Sequence, residues 1–323
     1  MKILFSADWH VKSGQDKVPK QWQRNRFLLL ADRLNKIYDE HNCDLHIIGG
    51  DVLDVADPST EELEVMYACL SIMKHQKGLI YTGNHEMISK TISCLFHLGE
   101  NIREASGGNW EVTKSMRSDD FDIVDYVELK KEKWKPAKSK LCFSHVRGEI
   151  PPHVTFEVEP SRFAEWPLVV CGDLHSNQNT QHVGDTVFAY PGSPLTTSFH
   201  RSRTTKTNGV FIIDTETLKY EWIELGDLPQ LVRKTVSSAD DMVEDSYDRV
   251  IYEVTGNVEE LRKVKDSELL DKRLNNKVSK DARLDLADKS FEEELAIYLA
   301  EVQGIQPESI PRLVSLAREI HGA

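Results

Sequence analysis

Five short polar motifs each directly follow a short apolar segment of the chain. Apolar runs of this length that end at a polar or glycine-containing turn are typical of buried strands. Ligands gather beyond the carboxyl ends of strands in α/β folds, so the five motifs are predicted to converge on one site. The motifs are Asp8-Trp9-His10, Gly49-Gly50-Asp51-Val52-Leu53-Asp54, Gly83-Asn84-His85-Glu86, Ser144-His145 and Gly172-Asp173-Leu174-His175.

Helical segments lie between the early strands. Apolar residues recur at helical spacing from Phe27 to Ile37 and again from Leu63 to Met73. The alternation of strands and helices over roughly residues 1–225 predicts an α/β core. Its strands are predicted at residues 3–5, 45–48, 79–81, 141–143, 168–171, 187–190 and 210–213.

The chain is predicted to divide into a core over residues 1–228 and three smaller segments. Residues 229–275 form a small α+β lobe with one clear strand at 250–254, and residues 276–289 are a polar linker. Residues 290–323 contain two amphipathic helices. Their apolar stripes include Phe291, Leu295, Leu299, Leu313, Leu316 and Ile320.

The formal net charge of −13 at pH 7 argues against a polyanionic partner, because nucleic-acid binding usually draws on clustered lysine and arginine. The charge is uneven, however: residues 235–323 hold 20 acids and 12 bases, a net charge of −8. Basic stretches occur elsewhere, around Trp134 and at Arg201 and Arg203. A solvated surface is the ordinary interpretation of each stretch, but an acidic tail does not exclude DNA.

The cysteines and the N-terminus indicate the compartment. Five cysteines lie inside apolar segments and form no C-x-x-C pair, which is typical of reduced, buried thiols. The N-terminal stretch reaches Asp8 too early for a signal peptide, and no run approaches the ~20 apolar residues of a membrane span. We therefore expect a cytoplasmic protein without membrane association.

The five motifs together predict a metal centre. A single aspartate or histidine in such a place is more often a helix cap or a turn residue. So many carboxylates and imidazoles at one site would be costly to bury without a charged ligand, however. Oxygen and imidazole ligands without thiolate suit Mn(II), Mg(II), Fe or Zn, and the number of donors fits two ions. No G-x-x-x-x-G-K-[ST] or G-x-S-x-G sequence occurs, so neither ATP hydrolysis nor a serine nucleophile is expected.

The order of the motifs resembles the calcineurin-like metallophosphoesterases, whose pattern is D-x-H, G-D-x-x-D, G-N-H-[DE], a lone H and G-H-x-H. Within that superfamily, Ser6-Ala7-Asp8-Trp9-His10 and Tyr190-Pro191-Gly192-Ser193-Pro194 resemble the SbcD nucleases. The likeness covers residues 1 to about 225, and the short chain suggests a phage version. It implies a β-sandwich flanked by helices, with a small capping lobe and C-terminal helices.

The resemblance also implies roles for individual residues. Two divalent ions, Mn(II) in the first place and otherwise Mg(II), would be bound with Asp51 as the shared ligand. His85 would stand off the ions and stabilise or protonate the leaving oxygen, and Asp54 would orient a ligand. Asp173 stands where the family has histidine, and we predict that it binds the second ion. The implied ligands are Asp8, His10 and His175 for the first ion, and Asn84, His145 and Asp173 for the second.

The implied activity is metal-dependent hydrolysis of DNA, as an exonuclease on duplex DNA and as a single-strand endonuclease. The implied partner is an SbcC-type ABC ATPase whose coiled coil binds the C-terminal helices, and the resemblance also implies a homodimer. The 229–275 lobe would cap the DNA, and Arg201 and Arg203 would contact DNA phosphates.

Two other classes of function remain open at this stage. A phosphoprotein phosphatase or a small-molecule phosphodiesterase could use the same metals. Protein phosphatases, however, have arginine before G-N-H-E and D-R-G after the second motif, where this chain has Thr82 and Val55-Ala56-Asp57. A metal-free scaffold of the same fold is the second class, and the intact set of ligands argues against it.

Overall fold

Two six-stranded sheets form the centre of the computed structural model, which describes residues 1–199, 207–243, 247–254, 270–274 and 289–321. The first sheet has the order β12-β11-β1-β2-β3-β4, and the second has the order β5-β6-β7-β8-β10-β9. The first contains β1 (Lys2–Ser6), β2 (Leu45–Gly49), β3 (Gly78–Tyr81), β4 (Trp110–Val112), β11 (Gly209–Asp214) and β12 (Tyr220–Glu224). The second contains β5 (Met116–Arg117), β6 (Asp122–Val124), β7 (Leu141–His145), β8 (Leu168–Gly172), β9 (Gln181–Val183) and β10 (Thr186–Ala189).

The strands that carry the motifs run parallel to one another within each sheet. β1, β2, β3 and β4 pair in parallel register in the first sheet, as do β6, β7, β8 and β10 in the second. Parallel neighbours end at the same edge of a sheet, and their near-continuous apolar sequences reflect burial on both faces. The carboxyl ends of β1, β2, β3, β7 and β8 are therefore brought together at one end of the sandwich.

A shared apolar core joins the two sheets. Phe5 of the first sheet stacks on Phe143 of the second with ring centroids 5.3 Å apart, and Ile47 and Val170 are buried in the same cluster. Burial of a large apolar side chain contributes roughly 1.5–3 kcal/mol, so this interface holds the two halves of the site in register. The predicted α/β sandwich is confirmed.

Helices cover the outer face of the first sheet. They are α1 (Lys20–Glu40), α2 (Thr60–Ile72) and α3 (Cys94–Ala105). The predicted stripes, including Phe27, Leu34 and Met66, are buried against that sheet. The outer face of the second sheet is covered instead by loops that bring Trp134, Phe163 and Trp166 onto it, and by the short helix α4 (Tyr126–Leu129).

A third, three-stranded parallel sheet follows the sandwich. It consists of β13 (Leu231–Val236), β14 (Arg249–Val254) and β15 (Leu270–Leu274). Its first strand is fixed to the sandwich by the Leu231 amide, which donates to Thr196 Oγ1 at 2.6 Å. The predicted strand at 250–254 thus belongs to a sheet, and this sheet lies in the same compact unit as the sandwich, Met1–Leu274.

The second compact unit, Asn275–Ala323, contains two described helices, α5 (Phe291–Glu301) and α6 (Ile310–His321). α5 begins with a capping box in which the Ser290 side chain and Glu293 satisfy each other's backbone amides. Residues 276–288 of the predicted linker lie outside the described residues. The boundaries at 228, 275 and 289 stay predictions.

All five cysteines are buried and unpaired by disulfides. None of the described helices is both long and apolar enough to span a lipid bilayer.

Candidate metal centre

The polar residues that follow the parallel strands meet at one end of the sandwich. Each strand delivers one part of the site: β1, β2 and β3 from the first sheet, and β7 and β8 from the second. The structure brings together all nine residues predicted for metal binding and catalysis. They are Asp8, His10, Asp51, Asp54, Asn84, His85, His145, Asp173 and His175.

Glycines allow the loops to approach this closely. A Cβ added at Gly83 would lie 2.2 Å from Asp51 Oδ1, and one added at Gly172 would lie 2.6 Å from His145 Nδ1. Neither position has room for a side chain. These two motif glycines are therefore required by the packing of ligand-bearing loops.

The backbone at the site is strained. Asp8, His10, Asp51 and Asp173 have φ values of 58°, 49°, 51° and 91°, in the left-handed region that residues with a Cβ rarely adopt. They make up four of the seven non-glycine residues with positive φ in the described part of the chain. Such strain persists where the surroundings over-determine the conformation, as they do at functional sites.

The first cluster consists of Asp8, His10 and His175. The Nε2 atoms of the two histidines lie 3.1 Å apart, and His175 Nε2 is 3.9 Å from Asp8 Oδ1. Of the opposite nitrogens, His175 Nδ1 lies 3.2 Å from Thr197 Oγ1, and His10 Nδ1 lies 3.1 Å from Asp54 Oδ1 without forming a hydrogen bond to it. The two Nε2 atoms face each other beside the Asp8 carboxylate, where a metal ion could bind all three side chains.

The second cluster consists of Asp51, Asn84, His145 and Asp173. His145 Nδ1 donates to Gly49 O at 2.8 Å, so its Nε2 faces Asp51 Oδ2 at 3.3 Å and the Asn84 amide at 2.9 Å. The Asn84 amide group is also 3.3 Å from Asp51 Oδ2 and 3.1 Å from Asp173 Oδ1. The amide nitrogen carries two hydrogens and can donate to only two of these three acceptors, whereas a cation can bind all three together with the amide oxygen.

Asp51 lies between the clusters. Its Oδ2 is within 4 Å of three imidazole nitrogens, at 3.3 Å from His145, 3.7 Å from His10 and 3.9 Å from His85. Its Oδ1 accepts the His85 amide at 2.9 Å. Carboxylate and imidazole atoms close enough to share a cation recur in three groups among the described residues, and Asp51 belongs to two of them. This is the position that a ligand shared by two ions requires.

The buried carboxylates of the site favour the binding of cations. Burial, helped by the neighbouring carboxylates of Asp51 and Asp173, raises the pKa of Asp8 to about 8 against the pull of His145. Burial would lower the pKa of His145, but Asp51, Asp8 and Asp173 raise it well above its usual value. Burial would raise the pKa of Asp51, yet the surrounding imidazoles lower it. The buried acids thus favour positive charge at their centre, and oxygen and nitrogen donors without thiolate fit a hard or borderline divalent ion.

His85 differs from the other histidines in its exposure. Its side chain is 39% exposed, whereas those of His10 and His145 are 3% and 0% exposed. His85 Nδ1 donates to the Asp54 carbonyl oxygen at 2.6 Å, which turns Nε2 toward Asp51. His85 is therefore held at the mouth of the site with one nitrogen accessible to a substrate.

Asp54 contacts two site histidines, His10 through its side chain and His85 through its backbone carbonyl group. Its carboxylate lies 3.1 Å from His10 Nδ1 and accepts Lys12 Nζ at 3.2 Å, while its carbonyl oxygen accepts His85. The predicted orienting role has a geometric basis in these contacts.

Glu86 is a positioning residue that sequence reasoning did not single out. Its buried carboxylate accepts the amides of Asp51, Leu53 and Gly83 at 3.1, 3.0 and 2.8 Å, which joins the loops after β2 and β3. Burial and the Asp51 charge raise the pKa of Glu86 to about 7. Its place directly after Asn84-His85 in a motif is the signal that could have identified it.

Arg147 was also missed. It pairs with Asp173 through two contacts, Nε to Oδ2 at 3.0 Å and Nη2 to Oδ1 at 3.3 Å. The extra negative charge that Asp173 introduces in place of histidine is thus offset by a fork of two hydrogen bonds. Only the fold reveals this pairing, because the two residues follow different strands.

The turn Tyr190-Pro191-Gly192-Ser193-Pro194 holds backbone at or beside a ligand of each cluster. Ser193 Oγ lies 2.6 Å from the carbonyl oxygen of Asp8, and Tyr190 donates its hydroxyl to Val146 O at 2.9 Å, next to His145. This motif therefore fixes ligand-bearing backbone and contributes no ligand of its own.

The remaining predicted residues are two arginines and the apolar residues of the C-terminal helices. Arg201 and Arg203 fall outside the described residues, as does the Ile320 side chain. On the C-terminal helices, Phe291, Leu313 and Leu316 are 53%, 37% and 52% exposed, and Leu295 and Leu299 are half-buried.

Comparison with known proteins gives one family and one close relative. The sequence profile of the calcineurin-like phosphoesterases matches residues 1–160. The chain is 58% identical over 318 residues to the "Probable exonuclease subunit 1" of Escherichia phage T5, covering 98% of each chain.

Two solved structures show weaker likenesses. TT1561 of Thermus thermophilus has 8% identity, covers 69% of this chain and 98% of its own, and gives a TM-score of 0.44. The Pseudomonas putida nuclease MPE has 16% identity, covers 44% and 60%, and gives a TM-score of 0.29. Neither score is high enough to support a conclusion.

Proposed function

The chain belongs to the calcineurin-like phosphoesterase family, whose members hydrolyse phosphoesters, and from this premise we propose that it is a two-metal DNA nuclease. The observation that carries the proposal is the position of Asp51 between two clusters of ligands. The name of the phage T5 relative, an exonuclease subunit, favours DNA among the phosphoesters.

The residues divide the work as follows. Asp8, His10 and His175 would hold one ion, and Asn84, His145 and Asp173 the other, with Asp51 shared. Mn(II), or else Mg(II), would when bound lower the pKa of a water and offset charge on the departing oxygen.

His85 would deliver a proton from Nε2 to the leaving oxygen of the DNA, a role for which its exposure and its fixed Nδ1 suit it. Asp54 would keep the rings of His10 and His85 in place.

We further propose that the chain works as the nuclease subunit of an SbcCD-type complex in the cytoplasm of the bacterial host. The T5 relative is named a subunit, which implies a partner for that protein. The apolar residues of α5 and α6, among them Leu313 and Leu316, would bind the coiled coil of an SbcC-type ATPase in a helix-in-groove mode. The nuclease would act as a homodimer.

The test of the function is digestion of linear duplex DNA with Mn(II), with and without the ATPase subunit. We expect Mn(II)-dependent release of nucleotides that stops on chelation and accelerates when the ATPase is present. A phosphopeptide offered in parallel distinguishes a phosphatase. Turnover of the phosphopeptide with intact DNA would contradict the proposal.

Asp173→Ala is expected to weaken Mn(II) binding at the second site by at least about tenfold and leave the first site unchanged, because one carboxylate ligand is lost. Asp173→His should restore binding and shift the preference toward zinc, since imidazole is a softer ligand. Arg147→Gln is the matched control, because it removes the ion pair and keeps the carboxylate. Calorimetric titration with Mn(II) and Zn(II) measures all three, and equal affinity of both sites in Asp173→Ala would show that Asp173 is not a ligand.

A further inference from the structure

Two hollows in the surface of the sandwich form one depression, which starts next to the second ligand cluster. The nearer one, of about 730 Å³, is lined by Asn84 and extends between the loop after β3 and helix α4. The farther one, of about 810 Å³, continues from it past α4. They share Thr91, Val127 and Lys131, so they form one continuous depression that begins at a predicted metal ligand. We refer to it as the lysine groove.

Six lysines line the lysine groove, and all six are exposed. They come from three separate parts of the chain, which the fold brings together: Lys90, Lys114, Lys130, Lys131, Lys133 and Lys135. In a chain of net charge −13, such a concentration of positive charge beside the site is unusual. It creates a local field that attracts a polyanion.

The acids of the lysine groove do not cancel this charge. Asp125 and Glu128 are the acidic residues that line it, and both are buried. Glu128 is paired with Arg117 at 3.1 Å, and Asp125 caps α4 by accepting the Glu128 amide at 3.0 Å. Of the lysines, Lys130 is paired with Glu157. Lys90, Lys131 and Lys133 form no ion pair within the described ranges.

The aromatic rings at the lysine groove already stack against cationic side chains. Lys114 Nζ lies 4.9 Å from the ring centroid of Phe96, and the Arg162 guanidinium lies 3.9 Å from that of Trp134. The Lys130 ammonium similarly lies 4.6 Å over the Tyr126 ring. Rings that already stack on cations are poor platforms for bases, so the surface offers ammonium groups for phosphates.

We propose that the lysine groove binds the sugar–phosphate backbone of the DNA strand that enters the metal centre, without reading its sequence. The proposal rests on the proposed nuclease function and adds the surface that holds the substrate. The occupant is a polyanionic strand because the groove joins the phosphodiester site at Asn84 and presents unpaired ammonium groups along its length.

The test is the triple variant Lys90→Gln, Lys131→Gln and Lys133→Gln in the full chain. The control is Lys36→Gln, Lys74→Gln and Lys219→Gln, three exposed lysines that lie elsewhere and also form no ion pair among the described residues. Binding is measured with two labelled single-stranded DNAs of unrelated sequence over a range of salt, with Ca(II) in place of Mn(II). Hydrolysis of bis(p-nitrophenyl) phosphate, which is too small to extend along the groove, is measured with Mn(II).

We expect the groove variant to bind both DNAs at least about tenfold more weakly at 0.1 M salt. The magnitude of the slope of log K against log salt should fall by about 2, because each lost phosphate contact on a single strand removes ~0.7. The control triple should bind as the parent does, and hydrolysis of the small diester should be unchanged in both. Unchanged DNA binding by the groove variant, equal losses in the control, or a loss confined to one DNA sequence would each overturn the proposal. Failure of the parent chain to hydrolyse either substrate would refute the nuclease function instead, and the binding measurement would still decide the groove.

Discussion

His85→Ala should lower the rate of DNA hydrolysis by about 10²–10⁴-fold, the usual contribution of a positioned acid, while both ions remain bound. The reason is geometric. The ring is fixed by the 2.6 Å hydrogen bond from Nδ1 to Asp54 O, and its side chain is the most exposed of the site histidines.

The leaving group provides the sharpest readout. A DNA alkoxide needs a proton when it departs, whereas p-nitrophenolate departs without one. We therefore expect His85→Ala to slow the cleavage of DNA far more than that of bis(p-nitrophenyl) phosphate. His10, Asp51 and His85 also lie close enough to share a cation. An equal loss on both substrates, together with the loss of a bound Mn(II), would identify His85 as a metal ligand and contradict the assigned role.

Asp51→Asn should abolish DNA hydrolysis and reduce Mn(II) binding at both sites, by about 100-fold or more. A single substitution affects two ions because Asp51 Oδ2 approaches His145 at 3.3 Å and His10 at 3.7 Å, one from each cluster. The amide keeps the size of the side chain but removes the charge that balances the cations. The fold should survive, because the oxygen of the new amide can still accept the His85 amide that Asp51 Oδ1 accepts at 2.9 Å.

Asp57→Asn is the matched control, since Asp57 is an exposed carboxylate on the same loop that belongs to neither cluster. Equilibrium dialysis against Mn(II) gives the number of ions per chain, and thermal unfolding checks the fold. Two ions bound to Asp51→Asn with parental affinity would rule out Asp51 as the shared carboxylate, and fewer than two ions bound to the parent chain would contradict the two-metal arrangement.

Local sequence determined the individual strands and helices of this protein and the types of ligand that follow the strands. Short apolar runs and helical stripes encode strands and helices within windows of a few residues, so β1, β2, β3, β7 and β8 were predicted close to their observed bounds. The residue types of the motifs determined that oxygen and imidazole donors would follow those strands. The short strands β4, β5, β6 and β9 escaped prediction, because two or three residues carry no usable periodicity. The longer strands β12, β13 and β15 were also missed, because their sequences mix charged and apolar residues.

Only the tertiary structure decided which of these elements and side chains come into contact. His10 and His175 are 165 residues apart, yet their Nε2 atoms face each other because the packing of the two sheets aligns the ends of β1 and β8. The Arg147–Asp173 pair, the support of Asp8 by Ser193 and the lysine groove likewise join residues from separate elements. Such contacts depend on sheet order and on the packing of the whole core, which no short window of sequence encodes.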